Sequence, residues 1–211
     1  MDIQATLNKY KASGNFFDPE YERDNELLSS FKASFPTLSK DQVQEFVNIL
    51  NTASDIKDTF FVADMLYLYE TFSADLFEPL INAAIDFKDP SFNRVFLRPC
   101  IRVFGVKAVA DMLANKFNSG DIVRKLGVSN LLYHLRPQKN GDADKLHHAI
   151  LKRAAETTNI IELYHYKLSY ADRIKHSAKI PNNANDLVTL VKGNKEYEDL
   201  LFNKLGWAYK E

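Results

Sequence analysis

The chain has 211 residues, of which 45% are hydrophobic and 26% are charged, and its formal net charge is −1. This length suits one domain or one short repeat array, and only seven glycines and seven prolines exclude a disordered or turn-rich all-β chain. No stretch approaches the roughly 18 apolar residues of a membrane span, and the opening residues MDIQATLNKYKASG lack a basic region followed by an apolar run, so we expect a cytoplasmic protein without membrane association.

Apolar residues recur at helical spacing from about residue 40 onward, and short breaks rich in helix-capping residues separate the periodic segments. The sequence therefore predicts an all-α protein. The predicted N-caps are Ser39 in a capping box with Gln42, Asp55, Asp89 followed by Pro90, Asp121, Asp142, and Asn159 in a box with Glu162.

The predicted helices form pairs that begin near residues 40, 73, 106 and 142, a period of 33 to 36 residues. Such a period is typical of an α-solenoid, in which each pair buries its apolar stripe against the next pair. The predicted pairs are 40–53 with 56–70, 74–87 with 90–105, 106–118 with 121–136, and 143–157 with 160–177. We predict one domain, with repeats over 39–177 and helical caps over 1–38 and 178–211.

The segment LFEPLINAAIDFKDPSFNRVFLRPCIRVFG resembles one HEAT repeat. It has a proline in the first helix (Pro79), an Asp-Pro turn (Asp89 and Pro90) and an arginine early in the second helix (Arg94). The next unit is similar, with Asp121 and Arg124 in the corresponding places. The resemblance implies a right-handed α-α superhelix of about four antiparallel HEAT-like helix pairs. Tetratricopeptide repeats have a similar period, but their regular glycine, alanine and aromatic positions are not found.

Three arginines lie four residues apart on the second helix of this unit: Arg94, Arg98 and Arg102. Because four helical residues advance by 400°, the three side chains share one narrow face of an otherwise apolar helix. We expect them to mark its exposed strip. Pro99 in the same helix removes one backbone donor, so we also expect a bend or break near residues 95 to 98.

The HEAT resemblance would place these arginines on the concave surface, with Lys125 of the next unit beside them. Guanidinium groups bind carboxylates and phosphates in a bidentate manner, so we predict that Arg94, Arg98, Arg102 and Lys125 bind an anionic partner. An alternative stays open, in which the arginines pair with acidic side chains of the adjacent unit, such as Asp64, and have a structural role.

Other residue types give no catalytic or metal site. Adjacent His147 and His148 diverge by about 100° on a helix and cannot easily share an ion. We expect Cys100 to be a buried, inert thiol, and Tyr164, Tyr166 and Tyr170 to pack between the last repeat and its cap. No metal, cofactor or catalytic residue is predicted.

Three functions compete at this point. We favour a non-enzymatic scaffold or adaptor that binds a protein with an acidic surface. The alternative is nucleic-acid binding similar to the HEAT-like alkylpurine DNA glycosylases, although the catalytic aspartate of that family matches no position and the one tryptophan, Trp207, lies in the predicted cap. The third is self-association, because residues 1–92 hold 16 acidic and 7 basic residues whereas residues 93–154 hold 4 and 12.

Overall fold

A computed structural model describes residues 2–12, 25–87, 89, 92–135, 141–170, 174 and 180–207. The regular secondary structure in these ranges is helical, with no strand. None of the helices within them combines the length and apolar character needed to cross a bilayer. The prediction of an all-α protein is therefore confirmed for the part of the chain that is described.

The chain divides into two compact units, Met1–Ala84 with Arg94–Gly105, and Ile85–Asn93 with Val106–Glu211. We describe each unit separately, and the expectation of a single domain stays a prediction. The α-helices are α1 Ile3–Ala12, α2 Asn25–Ser34, α3 Lys40–Thr52, α4 Ile56–Tyr67, α5 Phe77–Asp86, α6 Arg94–Ser119, α7 Ile122–Leu131, α8 Asp144–Glu156, α9 Ile160–Tyr170, α10 Ala184–Val191 and α11 Lys195–Glu198. A π-helical turn, Asp199–Lys204, follows α11.

Four predicted helix starts are confirmed by the caps that fix them. Ser39 forms the complete capping box of α3, and the carboxylates of Asp55 and Asp121 accept from backbone N–H groups of α4 and α7. Asn159 accepts from the N–H groups of Ile161 and Glu162 at the start of α9. Short polar side chains thus end the loops at the positions that the sequence predicts.

Three details of the predicted caps are wrong. Asp142 does not cap α8, which begins at Asp144 with Ala143 in the N-cap position. Asp89 does not cap α6 either, since its carbonyl accepts from Phe92 in a turn and the helix begins only at Arg94. Pro90 lies outside the described residues. The Glu162 carboxylate, expected to close a capping box, binds other side chains instead.

The break in α6 falls at Gly105 and not near residues 95 to 98. Gly105 has φ 84° and ψ 158°, a conformation that is essentially restricted to glycine, and it separates helical segments 94–104 and 106–119. Pro99 leaves the local dihedral angles helical. Pro99 removes the N–H bond to the carbonyl of Val95, so a bend near residues 95 to 98 that keeps these angles helical stays a prediction.

Aromatic side chains fill the core of the first unit. Helix α4 is buried on nearly all sides, from Thr59 through Leu66, and Phe61 contacts the rings of Tyr10 and Phe46 with centroids 5.3 and 6.1 Å apart. The buried Asp64 carboxylate in this core accepts a hydrogen bond from the Tyr10 hydroxyl. This bond satisfies the tyrosine hydroxyl that α1 brings into the apolar interior.

The second unit has a core of aliphatic residues around a buried carboxylate. Glu162 on α9 has no solvent exposure, and its two oxygens accept from Arg153 Nε at 3.1 Å and Nη2 at 2.7 Å. The hydroxyls of Thr157 and Tyr166 donate to the same carboxylate. Hydrogen bonding to Glu162 raises the pKa of Arg153, and burial raises the pKa of Tyr166. Helices α8 and α9 are therefore joined by a fully satisfied polar network.

Replacing Gly105 by alanine tests the break in α6. A Cβ at this position meets no atom within 4 Å, so only the backbone conformation penalises it. We expect G105A to lower the free energy of unfolding by about 1–3 kcal/mol, measured by urea denaturation with circular dichroism. In an uninterrupted helix the same change would raise the free energy of unfolding by about 1 kcal/mol. A variant that is more stable than the wild-type protein would therefore contradict a break at Gly105.

Replacing Glu162 by glutamine tests the buried network. We expect E162Q to lower the free energy of unfolding by about 3 kcal/mol, the low end for breaking a buried ion pair, because Arg153 remains partly exposed. The matched control is E156Q, since Glu156 pairs with Lys152 in an exposed contact on α8, and we expect a change within about 0.5 kcal/mol. Equal losses in the two variants would contradict the role of Glu162.

Candidate functional site

The first half of α6 is buried except along one line. Val95, Phe96, Leu97 and Cys100 are 8% exposed or less, so this segment packs against its neighbours on several sides. Arg94, Arg98 and Arg102 are all exposed. We call the strip formed by these three residues the arginine face, and it lies entirely in the first unit.

Arg102 is held in place by the end of helix α4. Its guanidinium donates to the backbone carbonyls of Leu66, at 3.2 Å, and Tyr69, and it lies 4.9 Å from the centroid of the Tyr67 ring. The carbonyls at a helix C-terminus lack intrahelical partners and carry partial negative charge, which explains the bond to a cation. Arg102 therefore has a structural contact, with Tyr67 left 48% exposed beside it.

Arg94 and Arg98 differ from Arg102. Both are exposed, and neither has a hydrogen-bond or ion-pair partner within the described ranges. Asp64, considered as a structural partner of the arginines, is buried and bound to the Tyr10 hydroxyl. The two outer arginines thus present their charges to solvent from a helix that is otherwise packed.

Lys125 lies in the second unit, on α7. Its side chain is half-buried, and Nζ donates to the carbonyl of Gly120, which precedes the helix. The ammonium group also lies 6.0 Å from the centroid of the Phe117 ring. Lys125 therefore has local contacts of its own, and its participation in a common surface with the arginine face stays a prediction.

The remaining candidates have the expected surroundings. Cys100 is fully buried, and burial raises the pKa of its thiol, so it stays protonated and unreactive. Tyr164, Tyr166 and Tyr170 are buried, and Tyr164 packs against Trp207 with ring centroids 5.9 Å apart. Their prediction as packing residues is confirmed. His147 contacts the Tyr170 hydroxyl while the adjacent His148 is exposed, so the two rings have different surroundings.

Two residues of interest were missed from the sequence. His165 on α9 and Trp207 near the end of the described chain line a cavity in the second unit, and their ring centroids are 5.8 Å apart. The one available signal was a histidine inside the apolar and aromatic helix ELYHYKLSY. Sequence alone cannot tell whether such a buried histidine has a hydrogen-bond partner, because partners come from distant segments.

Comparison of the chain with protein-family models, with curated proteins and with solved structures finds no match to any of them.

Proposed function

We propose that the protein is a non-enzymatic scaffold of HEAT-like helix pairs that binds a protein partner with an acidic surface through the arginine face. One observation carries this proposal. On a helix whose other side chains are mostly buried, Arg94 and Arg98 are exposed and without an internal partner. Two arginines one turn apart present guanidinium groups that can bind carboxylates in a bidentate manner.

Contacts at the predicted repeat distance support the HEAT-like stack. In the first unit, Phe60 packs on Phe96 with ring centroids 5.3 Å apart, and Arg102 bonds to Leu66, so both contacts join residues 36 positions apart. In the second unit, Asp111 pairs with Lys145, 34 positions further along, at 4.0 Å. Equal offsets along two neighbouring helices are the contact pattern of parallel second helices in successive pairs. A right-handed superhelix with a concave binding face is the arrangement that we propose.

The chemistry of the arginine face favours a protein partner. Arginine and tyrosine are enriched at the energetically important centres of protein interfaces, and Arg102 lies over the half-exposed Tyr67 ring beside the two free arginines. Duplex DNA is the less favoured partner, because residues 1–92 contain 16 acidic residues that would repel a long phosphate backbone beyond the face.

The different surroundings of the arginines predict different effects on stability. We expect R102M to lower the free energy of unfolding by about 1–2 kcal/mol, because methionine cannot donate to the carbonyls of Leu66 and Tyr69. The matched R98M, one turn away, should change it by no more than about 0.5 kcal/mol. Urea denaturation measures both. A loss in R98M as large as that in R102M would make Arg98 structural and remove it from the proposed site.

Charge reversal tests the binding role of the outer arginines. We expect the double variant R94E/R98E to be as stable as the wild-type protein. Its affinity for a protein partner should fall at least about tenfold, which is about 1.4 kcal/mol of binding free energy. The partner is first captured from cell extract on immobilised wild-type protein, identified by mass spectrometry, purified and titrated by calorimetry. The control K192E/K195E makes the same charge change on two exposed lysines whose side chains have no ion-pair or hydrogen-bond partner among the described residues.

Two outcomes contradict the proposal. An equal loss of affinity for the partner in both double variants would mean that binding depends on the net charge of the protein and not on the arginine face. Tight, salt-sensitive binding of a duplex oligonucleotide that R94E/R98E abolishes would instead make nucleic acid the ligand of this face.

A further inference from the structure

The second unit contains a cavity of about 620 Å³. Residues of α7, α9, the end of α5 and the C-terminal segment after α11 line it. This volume lies within the roughly 300–1,000 Å³ that is usual for small-molecule sites. The arginine face belongs to the first unit, so the cavity is independent of the function proposed above.

The walls of the cavity are apolar and aromatic, and its charges balance. Its apolar lining includes Phe87, Val123, Leu168, Leu205 and Trp207. Leu168 is 65% exposed and lies at the rim of this lining. The charged lining residues are two acids and two bases, namely Asp86, Asp121, Arg124 and Lys204.

Each of these charged side chains already has an ion-pair or hydrogen-bond partner in the protein. Arg124 Nη1 lies 3.9 Å from Asp86 Oδ1, Asp121 accepts from the backbone N–H of Arg124, and Lys204 pairs with Asp199 at 3.1 Å. Since neither sign is in excess, the cavity offers no net electrostatic attraction to an anion or a cation. It favours an uncharged ligand.

His165 is the unexplained polar group in this region. It is only 7% exposed, and neither of its ring nitrogens has a hydrogen-bond partner in the described chain. Burial lowers the pKa of His165 to about 4, so near neutral pH the ring is uncharged, with one N–H donor and one acceptor nitrogen. A buried polar group without partners destabilises the fold, and a ligand that supplies them would remove this cost.

Trp207 and Asn130 complete the set of recognition groups. The Trp207 ring contacts the His165 ring edge to face, and both residues line the cavity. Asn130 on α7 is a half-buried lining residue whose amide has no hydrogen-bond partner among the described residues. An aromatic wall, an amide and a neutral imidazole together suit a flat ring with polar edges.

We propose that this cavity binds an uncharged aromatic heterocycle that carries both a donor and an acceptor. Its ring packs against Trp207 and its polar edge pairs with Asn130. Pairing with His165 also requires a rotation of that imidazole, because both ring nitrogens are buried in this structure. Leu168 covers the exposed side of the ring.

The test uses probes of matched size. Benzimidazole at pH 8 is an uncharged bicyclic ring with one donor and one acceptor, indene has the same shape without them, and benzamidine and benzoate supply the two charges. Trp207 is the one tryptophan of the chain, so its fluorescence, excited at the red edge of its absorption, reports this cavity alone. We expect saturable binding of benzimidazole at least about tenfold tighter than of indene or either ion.

Variants locate the binding and identify the polar partner. L168A should lower the affinity for benzimidazole at least threefold, which is roughly the loss of part of one apolar contact. L190A should leave this affinity unchanged. Leu190 on α10 is also an exposed leucine, 57% exposed, but does not line the cavity. H165F keeps the ring and removes both nitrogens, so we expect the preference for benzimidazole over indene to disappear.

Each other result overturns the proposal. Indene binding as tightly as benzimidazole would indicate an apolar pocket, suited to a side chain of a protein partner. Tightest binding of benzamidine or benzoate would show that charge selects the ligand. The absence of a saturable change in Trp207 fluorescence with any probe at millimolar concentration would show that the cavity is not a binding site for these ligands. Equal effects of L168A and L190A on the affinity would show the same.

Discussion

Burial of helices α4 and α9 on most of their sides is the constraint on which this structure depends. Helix α4 is buried without interruption from Thr59 to Leu66, and most of α9 is buried as well. A helix in this position has no polar face that can be left to solvent, so every polar group on it needs a partner from another segment. Asp64 finds one in Tyr10, and Glu162 finds two, Arg153 of α8 and Thr157 at the end of α8.

The same constraint separates polar residues that stabilise from those that remain available for binding. Glu162 is inaccessible and fully bonded, and Arg102 bonds to the backbone carbonyls of the buried Leu66 and Tyr69 at the end of α4. Arg94, Arg98 and His165 are the exceptions. The arginines lie on the open strip of a buried helix, and His165 lies inside without a partner. Of these three, only His165 is locally unfavourable, and natural proteins tolerate such groups mainly where they serve a function, whereas the arginines are available because they are exposed to water on the open strip.

Local chemistry explains why helix positions could be predicted and some contacts could not. The capping side chains of Ser39, Asp55 and Asp121 fix helix starts through bonds to residues two or three positions away, which the sequence displays directly. The break at Gly105 coincides with the boundary between the predicted helices 90–105 and 106–118, whereas the break expected beside Pro99 is absent, because the backbone there keeps helical dihedral angles. The spacing of the arginines was visible, but the bond of Arg102 to Leu66 and the missing partners of His165 depend on segments far away in sequence.

The buried cysteine and the tryptophan also give each unit an intrinsic spectroscopic or chemical reporter. Cys100 lies in the core of the first unit and Trp207 in the second. A thiol reagent can reach Cys100 only when the first unit opens, whereas indole emission follows the surroundings of Trp207. Coincident changes in the two signals during denaturation would identify one cooperative folding unit, and separate transitions would identify two. The natural sequence thus permits this distinction without engineered residues.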